Sequence, residues 1–509
     1  MDYKMKKIFT YLLIGLVGTT TSCSKFEEIN TNPEATEKVT SQMIATRIIL
    51  NLANQPTQKG FLQPYMLNKN IVWTEFVESY QYNGFGAGAL SFTAINDAHF
   101  MPEFAGTEGL AKSYEGLMYF ARGVKFFEAT MDLGDIPYTD ALKGESDKQY
   151  FPKYDNQKDV FIGILNELEL ADKAFAEGDN FTGDPIYGGN TTKWRKLVNS
   201  YALHVLIQLS MKEADADLSV KGRFQQILAN KPIFTSNADN YQLVRSDKNG
   251  QQYPFYKVGN NFTIYPTMSS EIVDRLKDRS DRRLFYYGAP SPVKLNSGHT
   301  QSDFTAYVGI DPSMIYDDIL HTKNSNDYSK LNDRYTEIAT GEPTQQLSYS
   351  QLCFIIAEAA VRGWINESAI EWHKKGVEAS MQFIFDNTPN TEQFHHGMPL
   401  DAAYVSTYVS GLTLPAGTEA QIEEIITQKY LASFLQSEFH TYYDYRRTGY
   451  PKWKINPATS LNSEAPSKMP VRWRYPATEF SFNTENVDAA VSRQFGGIDD
   501  INQLMWILK

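Results

Sequence analysis

Glu438 and Asp444 lie in the run Glu438–Tyr450, EFHTYYDYRRTGY, among four tyrosines, a phenylalanine, a histidine and two arginines. Two carboxylates facing each other across an aromatic-walled cleft are what glycoside hydrolysis requires, one as acid and the other as nucleophile or base. The same groups can instead be structural partners of Arg446 and Arg447. Spacing does not choose between these readings.

The other candidate chemistry is thinner. Gly84-Phe85-Gly86-Ala87-Gly88-Ala89 fits a dinucleotide fingerprint in letters only, because Glu78–Tyr82 before it is a poor buried strand. A flexible aromatic loop is the expectation there. Glu392-x-x-His395-His396 lacks a third metal ligand, since adjacent histidines seldom face one ion. His373 falls on an apolar helical stripe and reads as a hydrogen-bonded core histidine; Lys277–Arg283 balances its charges and reads as a solvated turn. Asp317-Asp318 and Asp499-Asp500 lack the spacing of a calcium loop, so a structural calcium has no support. The sequence holds no phosphate-binding P-loop, no G-x-S-x-G elbow and no H-E-x-x-H helix. No catalytic residue, metal ligand or cofactor site is assigned, and the protein is not read as an enzyme.

Composition narrows the classes further. A net charge of -12 over 509 residues, with no basic stripe, argues against nucleic-acid binding. The 31 tyrosines and 30 phenylalanines exceed what a core alone usually consumes, and tyrosine suits surfaces that stack on ligands while the hydroxyl stays wet.

Lys6 and Lys7, the apolar run Ile8–Val17 and small residues up to Ser22 read as a signal peptide over 1–22. Cys23 follows directly, as at a bacterial lipidation site, although Thr20-Thr21-Ser22 departs from the usual leucine-containing form. A lipidated Cys23 with a polar tether over 23–40 would anchor the body to a membrane without spanning it. Cys353 sits in the apolar run Leu352–Ala360, so no internal disulfide is expected.

The elements that position these residues are mostly helices. Three- and four-residue apolar spacing predicts helices from Ser41, over Leu110–Met131, Asp159–Phe175 and Trp194–Met211, then over Ser348–Arg362 and from Asn366. The same spacing over Ile422–Leu435 predicts another, continuing toward Gly449 and Pro451, which end helices. Strand signals such as Lys294–Ile310 and Val471–Phe482 are isolated, which argues against an alternating α/β fold. The fold class is mainly α: helix pairs like those of tetratricopeptide repeats, carrying long irregular loops. The expected body, 41–509, has its helical scaffold at 41–231 and 347–450, a loop-rich insert at 232–346 and a C-terminal segment at 451–509.

Several stretches, in order, resemble the SusD/RagB family, in its second SusD-like branch. They are Cys23–Pro33, Gly134-Asp135-Ile136-Pro137-Tyr138, Tyr349–Trp364, Gln428–Pro451, Val471-Arg472 with Tyr475-Pro476, Glu479 and Asn483, and Met505-Trp506. Asp281-Arg282-Arg283-Leu284 departs from the family's D-P-R-L. The resemblance implies a nutrient-binding lipoprotein on the outer face of the outer membrane of Bacteroidota. Such a protein captures an oligosaccharide, or a peptide, and delivers it to a SusC-like TonB-dependent transporter. On that reading Trp73, Tyr80, Tyr82 and Phe85 are stacking surfaces with Gln81 and Asn83 as hydrogen-bonding neighbours, and Tyr287 and Tyr307 form a second group. A surface glycoside hydrolase and a helical-repeat interaction scaffold are the alternatives.

Overall fold

The computed structural model describes residues 38–509; the leader, Cys23 and most of the tether lie outside the described residues. The chain is mainly helical, as the apolar spacing predicts. Its principal helices are α1 (Ser41–Ala53), α2 (Lys59–Leu67), α3 (Glu108–Leu133), α4 (Gln157–Glu177), α5 (Thr191–Gln208), α6 (Ser270–Asp278), α7 (Tyr349–Val361), α8 (Ala369–Asp386), α9 (Thr418–Ala432) and α10 (His440–Thr448). Among the described residues no helix is long and apolar enough to cross a membrane.

Side-chain caps set where the scaffold helices begin. Thr107, Asn156 and Asn190 each accept a hydrogen bond from a backbone N–H three residues on, which fixes the starts of α3, α4 and α5. α3 packs on α4, α4 on α5, and α7 on both α8 and α9. The α7–α8 contact depends on Gly376, where an added Cβ would come within 2.8 Å of the Phe354 ring. α7 is apolar nearly all round because neighbours enclose it, and a capping box between Ser348 and Gln351 closes its N-terminus.

Two antiparallel pairs of short strands tie the loops to this scaffold. β1 (Ile71–Trp73) pairs with β3 (Pro266–Met268), and β2 (Tyr241–Leu243) with β4 (Thr344–Leu347). The first pair fastens the loop after Trp73 to the insert.

Four local expectations change. Lys294–Ile310 is not a strand: Ser291 caps a short helix, Pro292–Asn296, with proline at its first turn, where a missing N–H costs nothing. Val471–Phe482 is irregular and then helical from Ala477, after Pro476. The helix toward Gly449 is two helices, because Leu435, Ser437 and Glu438 take left-handed backbone angles between α9 and α10. The turn at Lys277–Arg283 is not solvated throughout: Asp281 and Arg283 pair at 2.6 Å with no exposed surface.

His373 is buried on α8, as its stripe predicts, but neither ring nitrogen has a hydrogen-bond partner. Burial, with Arg283 and Arg279 nearby, pulls its pKa down to about 4. The ring is neutral in the fold, whereas the unfolded chain protonates it near 6.5. Its contribution is therefore complete above about 6.5 and is lost as pH falls toward 4. Denaturant titrations of wild type and His373→Leu should show the variant gaining about 2 kcal/mol on wild type between pH 8 and pH 5. A pH-independent difference would contradict this.

Candidate ligand-binding face

The eight residues expected at the ligand surface are placed unevenly. Seven are buried: Trp73, Gln81, Tyr82, Asn83, Phe85, Tyr287 and Tyr307; Tyr80 alone is half-buried. Tyr287 stacks on Phe434 with centroids 4.3 Å apart and donates its hydroxyl to the Leu431 carbonyl. Tyr307 packs edge-on against Phe285 and donates to the Gln301 carbonyl. Phe85 stacks on Trp473 at 4.6 Å, and Tyr80 meets both rings edge-on. The buried rings organise loops and offer no open stacking face, while Tyr80 keeps part of its surface exposed.

The glycine stretch after them is held by the tail. Gly88 N–H donates to the Arg474 carbonyl, Arg474 N–H donates to that of Gly86, and Ala87 bridges to Arg474. This is not the strand–turn–helix a dinucleotide needs.

What lies outside Trp73 is more open. Trp73 is fully buried and packs against Phe262 and Tyr265 of the insert, with centroids 6.0 and 5.4 Å away. Above it Phe76 is 45% and Val77 49% exposed; Ile264 and Ile315 are 68% and 52% exposed on neighbouring loops. Lys59 Nζ lies 4.0 Å from the Phe76 centroid and pairs with Glu78 at 2.6 Å. Lys323 Nζ lies 5.1 Å from the Tyr265 centroid and donates to Thr74 Oγ1. Thr74 in turn donates to the Tyr265 carbonyl at 2.7 Å and accepts the Tyr316 hydroxyl on its own carbonyl at 3.2 Å. Tyr82 donates to the Met314 carbonyl at 3.0 Å.

Three segments far apart in sequence thus form one face. Phe76, with Lys59 over one face, and Tyr265, with Lys323 over one face, can use their remaining exposed surface against the apolar faces of sugars or peptide side chains, while neighbouring polar groups take hydrogen bonds. Trp73 is its floor rather than its surface. Phe76, Ile264, Tyr265, Ile315, Lys59 and Lys323 escaped the sequence reading. The signal available was apolar density inside polar loops: Trp73-Thr74-Glu75-Phe76-Val77 and Phe262-Thr263-Ile264-Tyr265.

Of the two carboxylates Glu438 and Asp444, Asp444 is committed to structural partners. Burial disfavours the charge on Asp444, but Lys429 Nζ at 2.8 Å and Arg447 at 3.0 Å prevail and hold it well below the usual carboxylate range. Gln208 Nε2 donates to the same group at 2.9 Å. Arg447 also grips Glu358, which accepts from Arg362 Nε at 2.8 Å. Arg446 donates to the carbonyls of Met131 and Val471. Glu438 is pushed up to about 7 by burial beside Glu128. Asp444 thus belongs to an enclosed ion-pair chain, as Arg446 and Arg447 belong to anchors.

A cleft of 610 Å³ opens elsewhere, lined in part by Asp97, Phe100, Arg122 and Lys143. Its principal charges are already matched: Asp97 pairs with Arg47 and Arg122 with Glu167.

The chain is thus a helical body that presents an exposed apolar and aromatic loop face. Residues 33–476 match the SusD-like family model described as starch-binding and associating with the outer membrane. A SusD homolog from Bacteroides fragilis is 41% identical over 92% of this chain and 100% of its own, with a TM-score of 0.90. The chain belongs to the SusD-like family of nutrient-binding outer-membrane proteins. A Bacteroides vulgatus outer-membrane protein linked to nutrient binding is 34% identical over 92% of this chain and 100% of its own, with a TM-score of 0.82. A chitin-binding SusD homolog from Flavobacterium johnsoniae shares the fold at 18% identity, with a TM-score of 0.72 over 92% of this chain and 98% of its own. No protein with a curated description matches.

Proposed function

We propose that this protein captures an oligosaccharide, or a short peptide, on the face above Trp73 and hands it unchanged to a SusC-like TonB-dependent transporter. The observation that carries the reading is the exposed apolar and aromatic surface of Phe76, Val77, Ile264 and Ile315, rimmed by Lys59 and Lys323 and backed by packed rings. The helix pairs, read as tetratricopeptide-like, are the rigid mount. Lipidation at Cys23 tethers the body at the outer face of the membrane. Tyr80 borders the ligand, and Trp73, Gln81, Tyr82, Asn83 and Phe85 act from beneath by fixing the loop. Tyr287 and Tyr307 support the insert.

A shallow face suits delivery, since cargo bound too tightly does not leave. The chitin-binding relative makes N-acetylglucosamine oligomers sensible first probes beside malto-oligosaccharides and peptides. Calorimetric titration of wild type with these three probe classes should give saturable binding to one class in the micromolar to millimolar range, and chromatography should recover that probe intact. Cleaved product would contradict the reading, as would no binding by any class.

A further inference from the structure

The chain contains two Asn-Gly pairs, Asn83-Gly84 and Asn249-Gly250. In such a pair the side-chain amide carbon can reach the backbone nitrogen of the glycine, and the missing Cβ leaves that nitrogen open to it. The fold treats the two pairs in opposite ways. Asn83 is 4% exposed, and its Oδ1 accepts from Lys69 Nζ at 2.9 Å. Gly84 N–H donates to the Ser79 carbonyl at 2.8 Å, and a Cβ built on Gly84 would come within 2.5 Å of Ser79 Oγ. Both reacting groups of this pair are therefore engaged and enclosed.

Asn249-Gly250 is the tip of a turn over Ser246–Gln251. Ser246 N–H donates to the Gln251 carbonyl and Gln251 N–H to the Lys248 carbonyl, each at 3.0 Å. Ser246 Oγ accepts the Lys248 N–H at 3.3 Å and donates to Gln251 Oε1 at 2.7 Å. Below the turn, Arg245 donates to Asn54 Oδ1 at 2.8 Å and Thr344 Oγ1 at 2.9 Å, which anchors its base to the body. These bonds fix the ends and leave the tip out: Gly250 supplies the left-handed residue the turn needs, at φ 79°, and its N–H is not the one that closes the turn. Asn249 and Gly250 are both exposed, and a Cβ on Gly250 would meet nothing within 4 Å. Among the described residues, neither the Asn249 carboxamide nor the Gly250 N–H has a hydrogen-bond partner.

We propose that Asn249 is a site of spontaneous deamidation and that the fold protects Asn83 from the same reaction. The Gly250 nitrogen loses its proton to solvent base and bonds to Asn249 Cγ; the Cγ–Nδ2 bond breaks, and ammonia leaves with a proton taken from water. The cyclic succinimide then adds water at either carbonyl. One product is an aspartate at this position, and the other is its isomer, in which the main chain runs through the β-carbon. The net change is amide plus water to carboxylate plus ammonium, so no oxidant or further reactant enters. The tip gains a negative charge in the same loop as Asp247, and the isomer lengthens the backbone inside the bond from Gln251 to Lys248.

The test compares folded and urea-unfolded full-length protein, both incubated at pH 8, then digested under acid conditions that halt the reaction. Peptide mass spectrometry with chromatographic separation of the two isomers reads each site. In the folded protein, acid and isomer should accumulate at Asn249 while Asn83 stays an amide; in urea both sites should convert. Isoelectric focusing of the folded protein should show an acidic species that grows with time and falls away in Asn249→Gln, whose longer side chain closes the ring poorly. The proposal is overturned if Asn249 stays an amide in the folded protein over the time that converts it in urea, or if Asn83 converts as fast as Asn249 without urea. An acidic species undiminished in Asn249→Gln also overturns it.

Discussion

Arg447→Ala will lower the unfolding free energy by about 3 kcal/mol, the lower end of what breaking a buried ion pair costs. Arg447 is almost fully enclosed and joins Glu358 on α7 to Asp444 on α10. Removing it leaves two buried carboxylates with reduced compensation, and uncompensated buried charge is what makes such deletions severe. Lys429 and Arg362 remain, so the loss is that of a weakened chain and not of a bare pair. Arg447→Lys retains charge but not the fork that reaches both carboxylates, so it should fall between wild type and alanine. Urea titration at pH 7 measures all three. Full stability of Arg447→Ala would remove this stretch from its role as the junction of α7 and α10. Arg446→Ala should also cost stability before binding, because its guanidinium holds the Met131 and Val471 carbonyls.

The second large effect is on binding. Phe76→Ala combined with Tyr265→Ala should weaken the probe bound by wild type about tenfold to a hundredfold, since each stacked ring contributes about 0.5–1.5 kcal/mol beyond its area. Phe76 is 45% exposed and Tyr265 partly so, hence the thermal midpoint should move much less than for a core deletion. Unchanged affinity in the folded double variant would remove ligand from this face.

Helices were legible because their signal is local. Apolar spacing along Leu117, Phe120, Ala121 and Val124 needs no knowledge of the rest of the chain, and α3 follows it. The anchoring roles of Arg446 and Arg447 were legible in kind, from arginines beside a carboxylate at a helix end. Which rings would be covered was not legible, since the residues that cover them are remote. Phe85 is closed off by Trp473, Tyr82 is tied to Met314, and Trp73 is roofed by the insert at Phe262 and Tyr265. Composition marked Trp73–Phe85 as an aromatic loop but could not separate floor from surface. The break between α9 and α10 was hidden for a similar reason: Leu435, Ser437 and Glu438 are not residues that announce a left-handed turn. Asp281 and Arg283 read as a solvated turn because their charges balance; that same balance allows them to be buried as a pair.

The most direct test of the central claim is the footprint of bound ligand. Hydrogen exchange on wild-type protein, with and without a saturating concentration of whichever oligosaccharide or peptide binds, locates that footprint. The account predicts added protection in 74–80, 258–265 and 315–323 together. Protection confined to the cleft lined by Asp97, Phe100, Arg122 and Lys143, with the Phe76 loop unchanged, would contradict it.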